Sequence, residues 1–268
     1  MVRLAVLGGG RIGEALVAGL GDAGYDPADI AVAEIDPDRR RILEERFPTL
    51  RVVPSPAWAV ADAEVVVVAV KPHHVSGALT STEDALPADA LILSLAAGVP
   101  LSVVEAAAPG RPVVRAMPNT AALVGHGAAA IAGGTHAGPA HLETAEQILH
   151  AVGTVERLDE EHLDAVTALS GSGPAYVFLL AESLIEAGVL VGLTRDVASR
   201  LTVQTLLGSA MLLARDASGP EALRAAVTSP GGTTAAGLRE LEAHGLRAAV
   251  LDAVAAATRR SRELGAPG

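Results

Sequence analysis

Short apolar runs alternate with helical patterns along the first half of the chain. Residues 65–70 are apolar at every position, as a parallel strand buried on both faces requires. Alternation of strands and helices predicts a doubly wound, mostly parallel sheet with helices on both faces. The predicted strands are 3–7, 30–34, 51–53, 64–70, 90–94 and 112–117, and the predicted helices are 12–23, 37–46, 56–61, 72–85 and 100–107.

The pattern changes near residue 158. A strand at 128–132, a helix at 139–151 and a strand at 154–156 come first, and after them the strand signal ends. The sequence therefore predicts an α/β N-terminal domain over residues 1–158 and an all-α C-terminal domain over residues 159–268. The helices predicted for the second domain are about 161–169, 174–191, 196–214, 220–227, 234–243 and 246–263.

The most apolar long stretch is residues 175–193, which contains Glu182 and Glu186. Two carboxylates near the centre of a bilayer would be costly, so we predict a buried helix of a soluble protein and no membrane partner. The N-terminus carries no signal-peptide pattern, and the chain has no cysteine, which fits a reducing cytoplasm. A net charge of −11 with few aromatic residues argues against nucleic acid as a partner.

Three glycines follow the first strand in the spacing Gly8-x-Gly10-x-x-Gly13. Gly8 allows a tight turn, Gly10 lets the backbone approach a pyrophosphate, and Gly13 lets the next helix pack close to the strand. The helix N-terminus then faces the anion. Because a strand precedes the motif and a helix follows it, the first domain is predicted to be a Rossmann domain that binds a nicotinamide cofactor. The predicted contacts of this loop are Leu7, Gly8, Gly9, Gly10, Arg11, Ile12 and Gly13.

An acidic residue, Glu34, ends the second predicted strand about twenty residues after the glycines. A carboxylate there accepts hydrogen bonds from the ribose hydroxyls and disfavours a 2′-phosphate. Arg39, Arg40 and Arg41 follow a few residues later and are candidates for binding such a phosphate, although a run of this kind is more often a solvated helix face. The choice between NADPH and NADH is open at this point, with Glu34 alone favouring NADH.

Five segments give the chain a wider resemblance. They lie in this order along nearly its whole length: AVKP at 69–72, SLAAGV at 94–99, RAMPNT at 115–120, ALSGSGPAYVF at 168–178 and VTSPGGTT at 227–234. Together they resemble the pyrroline-5-carboxylate reductase family, an oxidoreductase family of proline biosynthesis. The resemblance implies reduction of the cyclic imine of 1-pyrroline-5-carboxylate to L-proline by NADPH or NADH. It also implies a homodimer through interlocked helical domains, often assembled into a larger ring such as a decamer.

The resemblance also implies roles for particular residues. The glycine-containing loop before a helix can cradle the substrate carboxylate on its N–H groups, and the hydroxyl of Thr234 is the candidate for hydrogen bonding or proton delivery at the ring nitrogen. The implied substrate contacts are Ser229, Gly231, Gly232, Thr233 and Thr234, and the implied walls of the nicotinamide and ribose pocket are Ala69, Val70, Lys71, Pro72, Ala96 and Ala97.

Two departures from the family pattern bear on these roles. Ser55 precedes Pro56 where many relatives have an asparagine on the ribose side, so Ser55 is the candidate replacement. Ala225 and Ala226 stand where the family often has an acidic or amide residue. Asn119 is expected to hold its own loop, and the spacing of the histidines matches no metal site.

Two other classes of protein are weighed against this assignment. A hydroxyacid or F420-linked reductase shares the predicted architecture, but hydroxyacid enzymes of that type need a lysine in the helical domain, and no lysine follows Lys71. A non-catalytic nucleotide sensor would not need a carboxylate loop at Ser229–Thr234. Both comparisons favour the imine reductase.

Overall fold

The computed structural model describes residues 3–265, which divide into two compact units. The first contains residues 3–172 together with 257–265, and the second contains Gly173–Ala256. The predicted boundary at residue 158 falls directly after the last strand of the sheet, whereas the compact units divide fourteen residues later along the chain (172 − 158 = 14).

An eight-stranded sheet forms the centre of the first unit, in the order β3-β2-β1-β4-β5-β6-β7-β8. Neighbouring strands are parallel except for β6 and β7, which are antiparallel. Strands β1, β2, β4, β5 and β6 are buried at every residue, and their residues are apolar except for Ser94 of β5 and Arg115 of β6, which pairs with Glu160. The strands are β1 Leu4–Leu7, β2 Ile30–Ala33, β3 Arg51–Val53, β4 Val65–Val68, β5 Leu91–Ser94, β6 Val113–Met117, β7 Gly127–Gly133 and β8 Gly153–Arg157.

Helices cover both faces of this sheet. Alternate strand residues point to opposite faces, so Leu4 and Val6 pack in one buried cluster and Ala5 and Leu7 in the other. Helices α1 and α6 contribute to the first cluster, and α3, α4 and α5 contribute to the second. The helices of this unit are α1 Arg11–Asp22, α2 Pro37–Arg46, α3 Pro56–Val60, α4 Val75–Thr80, α5 Leu101–Ala107, α6 Pro139–His150 and α7 Leu163–Val166.

Five helices follow α7. They are α8 Gly173–Leu190, α9 Arg195–Arg215, α10 Gly219–Ala226, α11 Thr233–Ala243 and α12 Leu246–Gly265. Helices α8 and α9 pack closely, because a side chain at Gly188 would lie 3.0 Å from Cβ of Ala198. The end of α12 belongs to the first unit, where Ser261 Oγ donates a hydrogen bond of 2.6 Å to Asp164.

The predicted fold class is confirmed: a Rossmann-type, mostly parallel sheet precedes an all-helical region. Two predicted helices differ in detail. The helix predicted at 72–85 begins as a 3₁₀ turn at Pro72–His74 and ends at Thr80, where the buried Thr82 hydroxyl donates to the Leu79 carbonyl. The helix predicted at 161–169 ends in a π turn over Thr167–Gly171.

The prediction of a buried helix at 175–193 is wrong for the single chain. No residue of α8 is buried, and Phe178 and Leu179 are each 64% exposed. The stretches Glu160–Leu190 and Arg195–Arg215 are long and apolar enough to cross a membrane by length and composition. A helix that is apolar on all sides needs cover, and here most of that cover must come from outside the chain.

Glu14 ties α1 to α2. Its carboxylate accepts hydrogen bonds from Arg39 and Arg46, and its side chain is largely shielded from solvent. Burial alone would raise the pKa of the Glu14 carboxyl, but the hydrogen bonds from the two arginines outweigh it and hold this pKa below its ordinary value of 4.5. The carboxylate also lies in the first turn of α1, where negative charge is favourable.

Replacing Glu14 by glutamine should lower the free energy of unfolding by about 1 kcal/mol at neutral pH, because the hydrogen bonds then lack charge while solvent still screens Arg46. The folded pKa is lowered, so the wild-type advantage is fully present above the ordinary pKa and is lost as the pH falls through the folded pKa. Urea unfolding at several pH values, followed by the fluorescence of Trp58, the single tryptophan, measures this difference in the free energy of unfolding. Glu45→Gln, on the exposed side of α2, is the control, and a difference that persists at low pH would contradict the assignment.

Candidate cofactor site and substrate loop

The glycine loop lies at the carboxyl end of β1, between Leu7 and the start of α1 at Arg11. Gly8 has φ +105°, and a side chain there would lie 2.8 Å from the Ala69 carbonyl oxygen. A side chain at Gly13 would overlap the carbonyl oxygen of Gly8. Both glycines are therefore required for α1 to begin directly against the end of the strand.

The N–H groups of this loop divide into two sets. Gly8 N donates to Ala33 O at 2.9 Å, and Gly9 N donates to Glu34 Oε2 at 2.9 Å, so both are used within the protein. The first helical bond of α1 runs from Glu14 N to Gly10 O, and the preceding N–H groups in the turn have no helical carbonyl to bind. A side chain built at Gly10 meets nothing within 4 Å. An anion fits at Gly10 and the first turn of α1.

A cavity of about 570 Å³ opens beside this loop, along the carboxyl ends of β1, β2 and β4. It brings together seven of the predicted cofactor residues: Leu7, Gly8, Gly10, Glu34, Ala69, Val70 and Lys71. The other predicted residues do not line it: Gly9, Arg11, Ile12, Gly13, Ser55, Pro72, Ala96 and Ala97. Gly9 and Gly13 are buried, and Ala96 and Ala97 lie beyond the end of β5, where Ala96 is buried and Ala97 exposed.

The same cavity has lining residues that the sequence analysis missed: Ala33, Ile35, Asp36, Pro56, His73, His74, Gly77 and Ala78. Ala33, Ile35 and Asp36 belong to or follow the end of β2, His73 and His74 follow β4, and the other three lie on helices α3 and α4. His73 and His74 are exposed, and their ring centroids lie 4.1 Å apart on the cavity wall. The position of the strand ends was the signal that could have found them.

Glu34 is held in a fixed orientation at the end of β2. One carboxylate oxygen accepts from Gly9 N, and the other accepts from Asp36 N at 2.9 Å. Each oxygen has two lone pairs, so the carboxylate retains acceptor capacity toward the cavity. Glu34 thus meets the requirement for binding ribose hydroxyls.

Asn119 joins the loop after β6 to the π turn. Its Nδ2 donates to Ser170 O at 3.0 Å, and its Oδ1 accepts from Ala121 N and Ala128 N. The prediction that Asn119 holds its loop is confirmed. A side chain at Gly171 would lie 2.6 Å from Cε of Met117, so this glycine allows the π turn to approach β6. Over residues 3–265, no three His, Asp or Glu side chains are grouped to hold a metal ion.

A second glycine loop, Ser229–Thr234, precedes α11 in the helical unit. Gly232 N donates to Ser229 O at 3.0 Å, Pro230 occupies the second position of the turn, and Gly231 has φ +68°. This combination is typical of a type II turn. Gly232 caps α11 without a side-chain hydrogen bond, and the first helical bond runs from Ala236 N to Gly232 O. The N–H groups at the start of α11 are therefore directed at a possible anion, with Thr233 and Thr234 exposed beside them.

Comparison with known proteins covers both units. Residues 160–264 match the family described as pyrroline-5-carboxylate reductase dimerisation, and residues 3–98 match the family described as NADP oxidoreductase, coenzyme F420-dependent. The chain is 48% identical to a pyrroline-5-carboxylate reductase of Mycobacterium tuberculosis, over 98% of this chain and 97% of the relative. It is 43% identical to the enzyme of that name from Pseudomonas aeruginosa, over 98% of this chain and 96% of the relative.

Solved structures give the same result. A pyrroline-5-carboxylate reductase from Coxiella burnetii aligns with a TM-score of 0.93 and 35% identity, covering 99% of each chain. A pyrroline carboxylate reductase from Plasmodium falciparum, with NADP bound, aligns with a TM-score of 0.86 and 29% identity, covering 99% of this chain and 98% of the other.

Gly10 and Gly13, the second and third glycines of the motif, should respond differently to replacement. Gly10→Ala should leave the free energy of unfolding nearly unchanged, because its side chain meets open space, but should weaken dinucleotide binding at least about tenfold by blocking the anion's approach. Gly13→Ala should lower stability, because its side chain overlaps the Gly8 carbonyl. Calorimetric titration with NADH and NADPH, and urea unfolding of both variants, separate the two effects. Normal dinucleotide affinity in Gly10→Ala would exclude this loop as the anion site.

Proposed function

This chain belongs to the pyrroline-5-carboxylate reductase family, and we propose that the Gly8–Gly13 loop holds its cofactor while the Ser229–Thr234 loop holds its substrate. Its activity is the NAD(P)H-dependent reduction of 1-pyrroline-5-carboxylate to L-proline, a step of proline biosynthesis. The observation that carries this conclusion is the 48% identity to a reductase of that name over nearly the full length of both chains.

On the cofactor side, the N–H groups of Gly10, Arg11, Ile12 and Gly13 receive the pyrophosphate, and Glu34 receives the ribose hydroxyls. The fit is supported by the open space at Gly10, by the unused N–H groups of the first turn and by the remaining lone pairs of Glu34. When bound, NAD(P)H supplies a hydride to the imine carbon of the substrate. The further cofactor contacts in this proposal are Leu7, Gly8, Gly9, Ser55, Ala69, Val70, Lys71, Pro72, Ala96 and Ala97.

On the substrate side, the N–H groups at the start of α11 receive the single carboxylate of the substrate, with Ser229, Gly231, Gly232 and Thr233 forming the turn around it. The exposed hydroxyl of Thr234 then lies in the same turn and accepts a hydrogen bond from the N–H of the protonated ring nitrogen. Because the imine can arrive protonated, its nitrogen needs no proton from a general acid as the carbon accepts the hydride. The protein contributes orientation and proximity, which are enough to account for large rate increases.

The helical region supports a homo-oligomer. Its match is to a family described as a dimerisation domain, and helix α8 exposes Phe178, Leu179 and Leu190 in the single chain. We propose a homodimer in which the helical domains of two copies interlock. This domain comprises residues 159–268 and includes the substrate loop. We further propose that dimers assemble into a ring such as a decamer. A net charge of −11 and the cover supplied by the second copy favour a cytoplasmic enzyme without membrane or nucleic-acid partners.

The activity is tested by following loss of NADH or NADPH absorbance with 1-pyrroline-5-carboxylate as substrate and identifying L-proline as the product. Turnover is expected with at least one of the two cofactors. Folded protein that binds a dinucleotide but forms no proline with either one would remove the proposal.

Removing the hydroxyl of Thr234 should lower kcat/KM at least about tenfold, equivalent to about 1.4 kcal/mol of lost transition-state stabilisation. Thr234→Val keeps the shape of the side chain, and Thr234→Ser keeps its hydroxyl, so the serine variant should retain most of the rate. The affinity for cofactor in the absence of substrate should match wild type in both variants. Equal rates for the valine variant and wild type would exclude Thr234 from the site.

A charge placed on α8 should break the dimer. Leu179 is 64% exposed in the single chain and would be buried between the two copies of the proposed dimer. Leu179→Glu places a carboxylate in that interface, where it has no partner. Sedimentation analysis should show a smaller species than wild type. Val103→Glu, on a partly exposed apolar position of α5, is the matched control and should sediment as wild type. If the Leu179→Glu variant sedimented with the mass of the wild type, this part of α8 would be excluded from the dimer interface.

A further inference from the structure

We propose that this enzyme selects NADH over NADPH, through a fixed acidic and apolar rim at the ribose end of its cofactor cavity. The inference rests on the proposed cofactor site and concerns the residues that follow β2: Glu34, Ile35 and Asp36, all of which line the cavity. They are called the β2 rim below. Its chemistry opposes the one group that distinguishes the two cofactors, the 2′-phosphate.

The Glu34 carboxylate cannot easily turn away from the rim. Its two oxygens accept hydrogen bonds of 2.9 Å from Gly9 N and Asp36 N. Rotation to admit a phosphate would break both bonds and leave the partly buried Gly9 N–H without an acceptor. Its remaining lone pairs suit ribose hydroxyls, which donate, and repel a phosphate, which only accepts at neutral pH.

The rest of the β2 rim adds a second charge and no donor side chain. Asp36 Oδ1 accepts from Asp38 N at 2.9 Å and from Arg39 N at 3.4 Å, which fixes this carboxylate as the cap of α2. Between the two acids, Ile35 is 75% exposed. An exposed isoleucine offers nothing to a phosphate, whereas an arginine at this place would bind one bidentately.

The three consecutive arginines near the start of α2 each have partners within the protein. Arg39 Nε donates to Gly9 O at 2.7 Å, and its guanidinium also pairs with Glu14. Arg40 donates to Glu34 O and Ile35 O, both at 2.9 Å. Arg41 lies 3.7 Å from Asp38 on the exposed side of the helix. Turning Arg39 or Arg40 toward a 2′-phosphate would break bonds that support the glycine loop and the main chain of the β2 rim.

The lysine and the two histidines of the cavity lie on the opposite wall. Lys71, His73 and His74 follow β4, and β1 stands between β4 and β2 in the sheet. Two strand spacings place the ends of β2 and β4 about 10 Å apart. These groups therefore do not neutralise the β2 rim.

The test is equilibrium binding without substrate, measured by calorimetric titration with NADH and with NADPH. Wild type should bind NADH at least about tenfold more tightly, a difference of about 1.4 kcal/mol. Glu34→Gln should narrow this ratio by weakening NADH and strengthening NADPH. Glu44→Gln makes the same change of charge on an exposed position of α2 and should leave the ratio unchanged. Equal ratios in the two variants would overturn the role of Glu34.

A gain-of-function variant completes the test. Ile35→Arg should strengthen NADPH binding about tenfold, with little effect on NADH, and the gain should shrink as salt is raised. Ile42→Arg makes the same substitution at another exposed isoleucine, on α2, and should change neither affinity. Wild-type protein that binds NADPH as tightly as NADH would overturn the selection but leave the reductase proposal intact. Protein that binds neither dinucleotide would instead overturn the proposed cofactor site.

Discussion

The contact between Gly13 and the carbonyl of Gly8 is the constraint from which the cofactor site follows. Because Gly13 has no side chain, α1 can start against the carboxyl end of β1 and direct its free N–H groups into the cavity beside the sheet. The same arrangement brings the loop close enough to β2 for Gly9 N to reach Glu34. A single close backbone approach thus fixes the separation between the proposed anion site and the proposed ribose acceptor.

Charged side chains stabilise the glycine loop in addition to packing. Glu14 holds Arg39, and Arg39 in turn donates to Gly9 O, so α1, α2 and the glycine loop share one chain of hydrogen bonds. Because the Arg39 guanidinium is engaged in these hydrogen bonds, it stabilises the conformation of the glycine loop and is not directed at a ligand. The apparent abundance of positive charge after β2 therefore says little about binding of a 2′-phosphate.

Sequence patterns predicted the sheet well because buried parallel strands must be apolar throughout, as residues 65–68 are. The glycine spacing likewise placed Gly8 and Gly13, whose backbone roles allow few substitutes. The partners of Arg39 and Arg40 were not predictable, because a run of arginines has the same pattern whether it faces solvent, phosphate or its own loop. The exposure of α8 was also missed, since an apolar helix looks the same in sequence whether its own chain or a second copy covers it.

These limits share a physical origin. Local sequence specifies backbone geometry strongly, through glycine, proline and the period of apolar residues, but specifies the partners of long polar side chains weakly. In the proposed site, imine reduction depends mainly on orientation by backbone N–H groups and by the Thr234 hydroxyl, and the backbone part is what sequence predicts best. In the proposed site, selection between the two dinucleotides depends instead on the carboxylate of Glu34 and the exposed side chain of Ile35, whose surroundings only the structure resolves. Chemistry and cofactor choice are separable in this proposal, because backbone geometry serves one and the β2 rim serves the other.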